Sequence, residues 1–310
     1  MTGKSITDKS TKALQILTWN IGYAGMGEDS DFLFDHGKQL RPPPSRESVA
    51  DNLKKIEEYL NGSEADIMML QEVPYASWIT YSTDVMGFFV QQFDDYQWTY
   101  TDDLRTKLIP PPFSIRMGNA TASTIPIDMC TSHPLEDEPD FLLQVFRKEY
   151  RMHVIHLEHD NVLWSLINIH LSAFDDKSVS IREKQLSQVF DFALSERKAG
   201  YHVVVGGDWN MKIVESDFGP YSTRDEDLFW VRPLPDFSRT QENLRWVADP
   251  STSTVRTAEQ PYQKGENYTL IIDAFVISDN VEMLDIKTDD LSFTPSDHHP
   301  VRIEVKAKDY

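Results

Sequence analysis

Residues 201–210 read YHVVVGGDWN. Val203 to Val205 are a β-branched run that suits a buried strand, and Gly206-Gly207 lead it into a turn. Asp208 and Asn210 stand where the apolar run stops. Strands pack in a core, while their ends feed loops that can gather at one edge. An apolar strand that stops at acids and amides is therefore the unit from which the rest of the chain is read.

The unit recurs. LQILTWNI (14–21) ends at Asn20, ADIMMLQEV (65–73) at Gln71-Glu72, and VLWSLINIHL (162–171) at Asn168 and His170. YTLIIDAFVIS (268–278) is interrupted by Asp273, and a carboxylate inside an apolar run is rarely buried without a partner. FTPSDHHPV (293–301) adds Ser296, Asp297, His298 and His299 before a last strand, VRIEV. Between 14–21 and 66–71 lies an amphipathic helix: Ser45 is its N-cap, Val49, Leu53, Ile56 and Leu60 recur at three- and four-residue steps, and Asn61-Gly62 end it. A second helix spans roughly 178–198, with Leu186, Val189, Phe190 and Ala193 on one face. Strands are expected at 96 (YQWTYT), 119 (NATAST), 142 (LLQVFRKEY) and 152 (MHVIHLE). Residues 22–45 and 211–266 read as loops rich in Pro, Gly and acids. The pattern predicts one mixed α/β domain over 1–310, core about 13–307, with two sheets and helices outside.

The chain has 310 residues, 40% hydrophobic, with a formal net charge of −20. Such a surface repels nucleic acid and anionic membranes unless a basic patch or a bound cation intervenes, so there is no strong nucleic-acid signal. No basic stripe and no membrane span is legible. Cys130 is the only cysteine, which fits a reducing, cytoplasmic setting. Nothing suggests an obligate partner, and a monomer is expected.

Strand ends bearing Asn20, Glu72, Asn168, His170, Asp208, Asn210, Asp273, Asp297 and His298 would make a pocket of carboxylates, amides and two imidazoles. Oxygen ligands such as Glu72, Asp297 and the Asn20 amide favour a hard cation, Mg²⁺ or Mn²⁺. Such a cation polarises a phosphoryl oxygen, a carboxylate orients water, and an acid-held histidine bonds phosphate or carries a proton. Each residue alone has a duller reading. Asn20 and Asp208-Trp209-Asn210 could be turn formers, Glu72 a surface acid, His170 a core histidine and Ser296-Asp297-His298 a strand-entry loop. All of these holding together would be a coincidence.

TWNIG, LQEV, NIHLS, GGDWN, IDAFVIS and SDHHPV, in this order, resemble the motifs of the endonuclease/exonuclease/phosphatase superfamily, whose members include abasic-site endonucleases, DNase I and neutral sphingomyelinases. The resemblance runs from residue 18 to 301. It implies an α/β (α+β) fold, a four-layered αββα sandwich with two mixed β-sheets face to face and helices outside. It also implies Glu72 as principal Mg²⁺ ligand (Mn²⁺ a possible substitute) with Asn20, and Asp297 as a further ligand. Asp208 would activate the water, Asn210 and Asn168 would help hold water and phosphate, and His170 and His298 would contact the phosphate. Asp273 would orient His298. His299 has the weakest case and reads as a surface residue.

Where abasic-site endonucleases carry a tyrosine, this chain has RMGNATASTIPI (116–127), similar to small bacterial members of unspecified substrate. Asn119 and Ser123 there, and Arg256 and Lys264 in TVRTAEQPYQKGENYTLIID, are the expected substrate contacts. Three functions follow as expectations: a Mg²⁺-dependent phosphoesterase acting on a small or lipid phosphoester, a nuclease, and a binding protein with a decayed site. The complete constellation speaks against the third.

Overall fold

The computed structural model describes residues 12–32, 36–38, 44–106, 114–137, 149–173, 180–216 and 218–308. Two six-stranded sheets form its centre. The first contains β1 (Leu14–Asn20), β2 (Ile67–Pro74), β3 (Gln97–Arg105), β4 (Arg116–Ser123), β13 (Val281–Thr288) and β14 (Val301–Ala307), in the order β13-β14-β1-β2-β4-β3. The second contains β5 (Met129–Pro134), β6 (Arg151–His159), β7 (Val162–His170), β8 (His202–Asp208), β9 (Leu244–Val247) and β12 (Asp273–Ser278), in the order β5-β6-β7-β8-β12-β9. A two-residue ladder joins β10 (Val255–Arg256) to β11 (Thr269–Leu270).

Side-chain alternation along the strands builds the layers. In β1, Leu14 and Ile16 face the second sheet and meet Leu166, Val204 and Phe275. Leu17 and Trp19 face the other way, onto Val49, Leu53 and Ile56 of α1 (Arg46–Gly62) and Phe89 of α2 (Val85–Gln92). On the far side, Ile167, Val203 and Val205 pack on Leu186, Val189 and Phe190 of α3 (Ile181–Lys198). The result is the four-layered αββα sandwich. α1 begins as its N-cap predicts, with the Ser48 N–H donating to Ser45 Oγ at 3.0 Å.

Each sheet holds one parallel strand pair, and each pair is bridged by a helix. β1 pairs with β2, Asn20 opposite Gln71. β7 pairs with β8, His170 opposite Asp208. The carboxyl ends of both pairs lie at the same end of the sandwich, where α/β sheets present their sites.

Several elements differ from the sequence reading. The strand expected at 142–150 lies almost wholly outside the described residues; Glu149 and Tyr150 are described and belong to no strand. YTLIIDAFVIS is two strands, β11 and β12, because Ile271 and Ile272 leave the ladder and offer their carbonyls to Ile213 and Trp209. Residues 211–266 include β9, β10, a 3₁₀ turn at Asp225–Leu228 and a short helix, α4 (Asp236–Arg239). Three elements carried no usable pattern. α2 is apolar nearly all round, β5 is an exposed polar edge, and β13 loses its alternation at a bulge between Met283 and Asp285.

Candidate active site

Asp208 ends β8 at the centre of the strand-end cluster. Its Oδ2 accepts from Asn20 Nδ2 at 3.0 Å, a bond that crosses from one sheet to the other. The same Oδ2 lies 3.7 Å from the Nε2 atoms of both His170 and His298. Its Oδ1 accepts from the Asn210 N–H at 2.9 Å. Asn210 takes the left-handed conformation (φ 51), and its Nδ2 donates to the Leu171 carbonyl at 2.9 Å, tying the loop after His170 to the loop after Asp208.

His298 comes from the loop before β14. Its Nδ1 lies 2.9 Å from Asp273 Oδ2. Asp273 opens β12 opposite Asp208 in the ladder, and its own N–H donates to Thr254 Oγ1 at 3.0 Å. All three side chains are buried. Burial pushes the Asp208 carboxyl up, and the neighbouring Asp273 adds to the rise while His298, Asn20 and the Asn210 N–H oppose it. Burial alone would depress His298, but the Asp273 and Asp208 carboxylates outweigh it and raise the imidazole to about 10. The cluster therefore stabilises a charged imidazolium beside a buried carboxyl group.

Of the three oxygen ligands expected for a cation, Asn20 bonds Asp208 and Asp297 immediately precedes His298. Asn20 Oδ1 accepts from the Gly22 N–H at 3.0 Å. Gly22 has φ +49, and a Cβ built there would stand 2.9 Å from Asp297 Oδ1, so glycine is what lets the Asp297 carboxylate lie against the turn after Asn20. Glu72 follows Gln71, the partner of Asn20, within a slip of the β2–β4 ladder between Leu70 and Val73. It holds φ 54, a left-handed conformation that a non-glycine residue keeps only where its surroundings impose it, and such positions concentrate at functional sites. An oxygen-only donor set of this kind fits a hard divalent cation. Among the described residues, the group of three acid or imidazole ligands within 4.8 Å of one another is Asp208, Asp273 and His298, which Glu72 and Asp297 do not join.

Other expected residues fall elsewhere. Asn168 is fully buried and its amide is committed: Nδ2 donates to the Ala120 carbonyl at 3.0 Å and Oδ1 accepts from Gln71 Nε2 at 2.7 Å. It ties the sheets together beneath the site and does not present an amide to phosphate. Ser123 stands opposite Ile67, the first residue of β2, at the far end from Glu72, and closes a local turn with Ile125. Arg256 is buried at 1% exposure, with its guanidinium donating to the carbonyls of Gly27, Ser30, Thr257 and Gln260. It braces the loop after β1 and does not offer its charge at the surface. Lys264 is exposed in the β10–β11 connection and makes no hydrogen bond or ion pair with the cluster among the described residues. Asn119 is fully buried on β4, one residue from Ala120, and neither atom of its amide has a hydrogen-bond partner among the described residues. His299 is buried, not superficial: its ring stacks on Phe293 at 3.8 Å and its Nδ1 bonds the Ser253 carbonyl at 2.9 Å.

Sequence reasoning missed one support. Thr254 holds the N–H groups of both Ile272 and Asp273 on one hydroxyl, and its position carries no pattern that distinguishes it from an ordinary loop residue. Gln71, read as part of a polar strand end, reaches across to Asn168 and to Thr18.

The fold is a four-layered αββα sandwich with carboxylate, amide and imidazole groups at the carboxyl ends of its parallel strand pairs. The chain belongs to the Endonuclease/Exonuclease/phosphatase family, whose model matches residues 17–298. Members of that family are in general phosphoester hydrolases that use divalent metals. Among solved structures, the endonuclease/exonuclease/phosphatase from Beutenbergia cavernae DSM 12333 is similar at 17% identity and TM-score 0.63, over 96% of this chain and 72% of that one. The D. rerio TDP2 complexed with single strand DNA product is similar at 15% identity and TM-score 0.58, over 96% and 100%. The human Nocturnin catalytic domain with bound sulfate anion is similar at 14% identity and TM-score 0.57, over 96% and 95%. No curated protein sequence matches the chain.

Proposed function

We propose that the chain is a Mg²⁺-dependent phosphoesterase that hydrolyses a small-molecule or lipid phosphoester. The observation that carries the reading is the buried array in which His298 Nδ1 meets Asp273 Oδ2 at 2.9 Å while its Nε2 stands 3.7 Å from Asp208 Oδ2. Asp208, held by Asn20 and the Asn210 N–H, is placed to orient a water and take its proton. His298, kept charged by its two acids, is placed to donate to a phosphoryl oxygen or a leaving group, with His170 on the other side of the same carboxylate. Glu72, Asn20 and Asp297 would hold the cation, with Mn²⁺ a possible substitute for Mg²⁺. When bound, the cation supplies charge neutralisation for the phosphoryl oxygens. Asn119, a buried amide with no hydrogen-bond partner among the described residues, is a candidate contact for bound water or substrate.

The net charge of −20 supports a small or lipid substrate over a long polyanion. A second reading, a nuclease, draws on the fold likeness to the D. rerio TDP2 complexed with single strand DNA product. A Mg²⁺-dependent panel separates the two: an abasic-site duplex, a plain single strand, sphingomyelin, an inositol polyphosphate and a chromogenic phosphodiester, each with His298→Ala as control. The proposal expects turnover of the lipid or chromogenic substrate and silence on DNA. Cleavage of DNA lost in His298→Ala establishes the nuclease reading instead.

A further inference from the structure

We propose that Trp19 is a positioning residue for His298 and that Tyr59 backs it; the inference rests on the role of His298 given above. Trp19 is fully buried on the helix-facing side of β1, one residue before Asn20. Its indole N–H donates to the His298 carbonyl at 2.9 Å. The N–H of His298 donates to Ser296 Oγ at 3.2 Å, and the N–H of His299 to the Thr254 carbonyl at 2.7 Å. The backbone that carries the imidazole is thus held from β1, from Ser296 and from Thr254, with Trp19 taking the carbonyl of His298 itself.

Trp19 is in turn supported. Tyr59 of α1 meets it edge-on, with ring centroids 5.2 Å apart and planes at 75°. The Tyr59 hydroxyl donates to Asp289 Oδ2 at 2.8 Å. Arg302 holds Asp289 through Nε at 2.6 Å and Nη2 at 3.2 Å, and the Asp289 N–H donates to the Pro300 carbonyl at 3.1 Å. One connected set of residues therefore holds both carbonyls, that of His298 through the Trp19 indole and that of Pro300 through the Asp289 backbone N–H. A buried indole N–H usually finds an acceptor, as Trp209 shows by donating to the Ala274 carbonyl; what singles Trp19 out is that its acceptor is the carbonyl of the residue that carries the imidazole. Its N–H is aimed at the peptide whose tilt decides whether the imidazole meets Asp273 and Asp208 together. Displacements of about 1 Å in supporting structure are enough to slow a reaction substantially.

The test uses the full chain with Trp19 replaced by phenylalanine and, separately, by benzothienylalanine, which keeps the bicyclic shape and lacks the N–H. Two quantities are read: kcat and KM for bis(4-nitrophenyl) phosphate with Mg²⁺, and the proton resonance of the His298 Nδ1–H, identified by its loss in His298→Ala and visible without substrate. In both variants kcat is expected to fall about tenfold with KM within about twofold, the size of one lost buried hydrogen bond. The His298 resonance is expected to shift or broaden in both, and Tyr59→Phe to move both quantities less in the same direction. A folded benzothienylalanine variant with wild-type kcat and an unmoved His298 resonance overturns the proposal. Should the wild-type chain leave this diester intact, the phosphoesterase reading fails on that substrate, and the His298 resonance still decides the role of Trp19.

Discussion

Asp273 Oδ2 and His298 Nδ1 lie 2.9 Å apart, with both side chains buried, although 25 residues separate them in sequence. Asp273 reaches this position because Thr254 holds its N–H and because β12 runs antiparallel to β8, opposite Asp208. Replacing Asp273 by asparagine keeps the shape and removes the charge that favours the imidazolium. The expected outcome is a fall in kcat on the order of 10²-fold with KM little changed, measured by steady-state kinetics at neutral pH. An unchanged kcat in a folded Asp273→Asn variant removes this pair from the chemistry.

The cation is expected on Glu72, Asn20 and Asp297. Titration calorimetry with Mn²⁺ should find Glu72→Gln weakened about tenfold or more, since one charged oxygen ligand of a small set is lost, while Asp208→Asn binds much as wild type does. The reverse pattern would put the ion at the Asp208, Asp273 and His298 group instead.

Arg256→Met distinguishes a structural brace from a substrate contact. Its four carbonyl partners lose a buried charged donor, a loss of about 3 kcal/mol or more in stability. A lower Tm with unchanged KM in the folded enzyme is expected. A raised KM at unchanged Tm would restore Arg256 to substrate binding.

His153 gives the fold an acid limit. It lies between the sheets, within reach of Thr121 Oγ1 at 3.2 Å, and burial lowers its pKa from 6.5 to about 4. The unfolded chain takes up a proton near its ordinary value of 6.5 and the folded chain does not. Stability is therefore full above that value and falls as pH drops from it towards 4. The loss between pH 7.5 and pH 5 is about 2 kcal/mol from this residue. Denaturant unfolding at the two pH values should show it, and His153→Gln should show a smaller difference. An equal pH dependence in both proteins contradicts this account.

What was legible in the chain followed from periodicity and from polar interruptions. β1, β2, β7, β8 and α1 announce themselves because apolar residues repeat and then stop, and three of the residues at the strand stops, Asn20, His170 and Asn210, meet around Asp208. Asp273 stood out because a carboxylate in LIIDAFVI needs a partner, and His298 is that partner. Tertiary commitments were not legible. Asn168 and Asn20 are both amides at strand ends, yet one is spent bridging the sheets and the other reaches Asp208. Arg256 reads as free charge until four carbonyls are seen around it, and Ser123 lies at the wrong end of its strand because the direction of β4 against β2 is not written in either segment. The left-handed backbone at Glu72 has no sequence signature, since glutamate rarely adopts it.

The most direct measurement is hydrolysis of bis(4-nitrophenyl) phosphate by the purified protein with Mg²⁺, with EDTA, and with His298→Ala. The account predicts turnover that needs the cation, disappears in EDTA and falls about 10²-fold or more in the variant. Turnover that survives EDTA, or that is equal in wild type and His298→Ala, contradicts it.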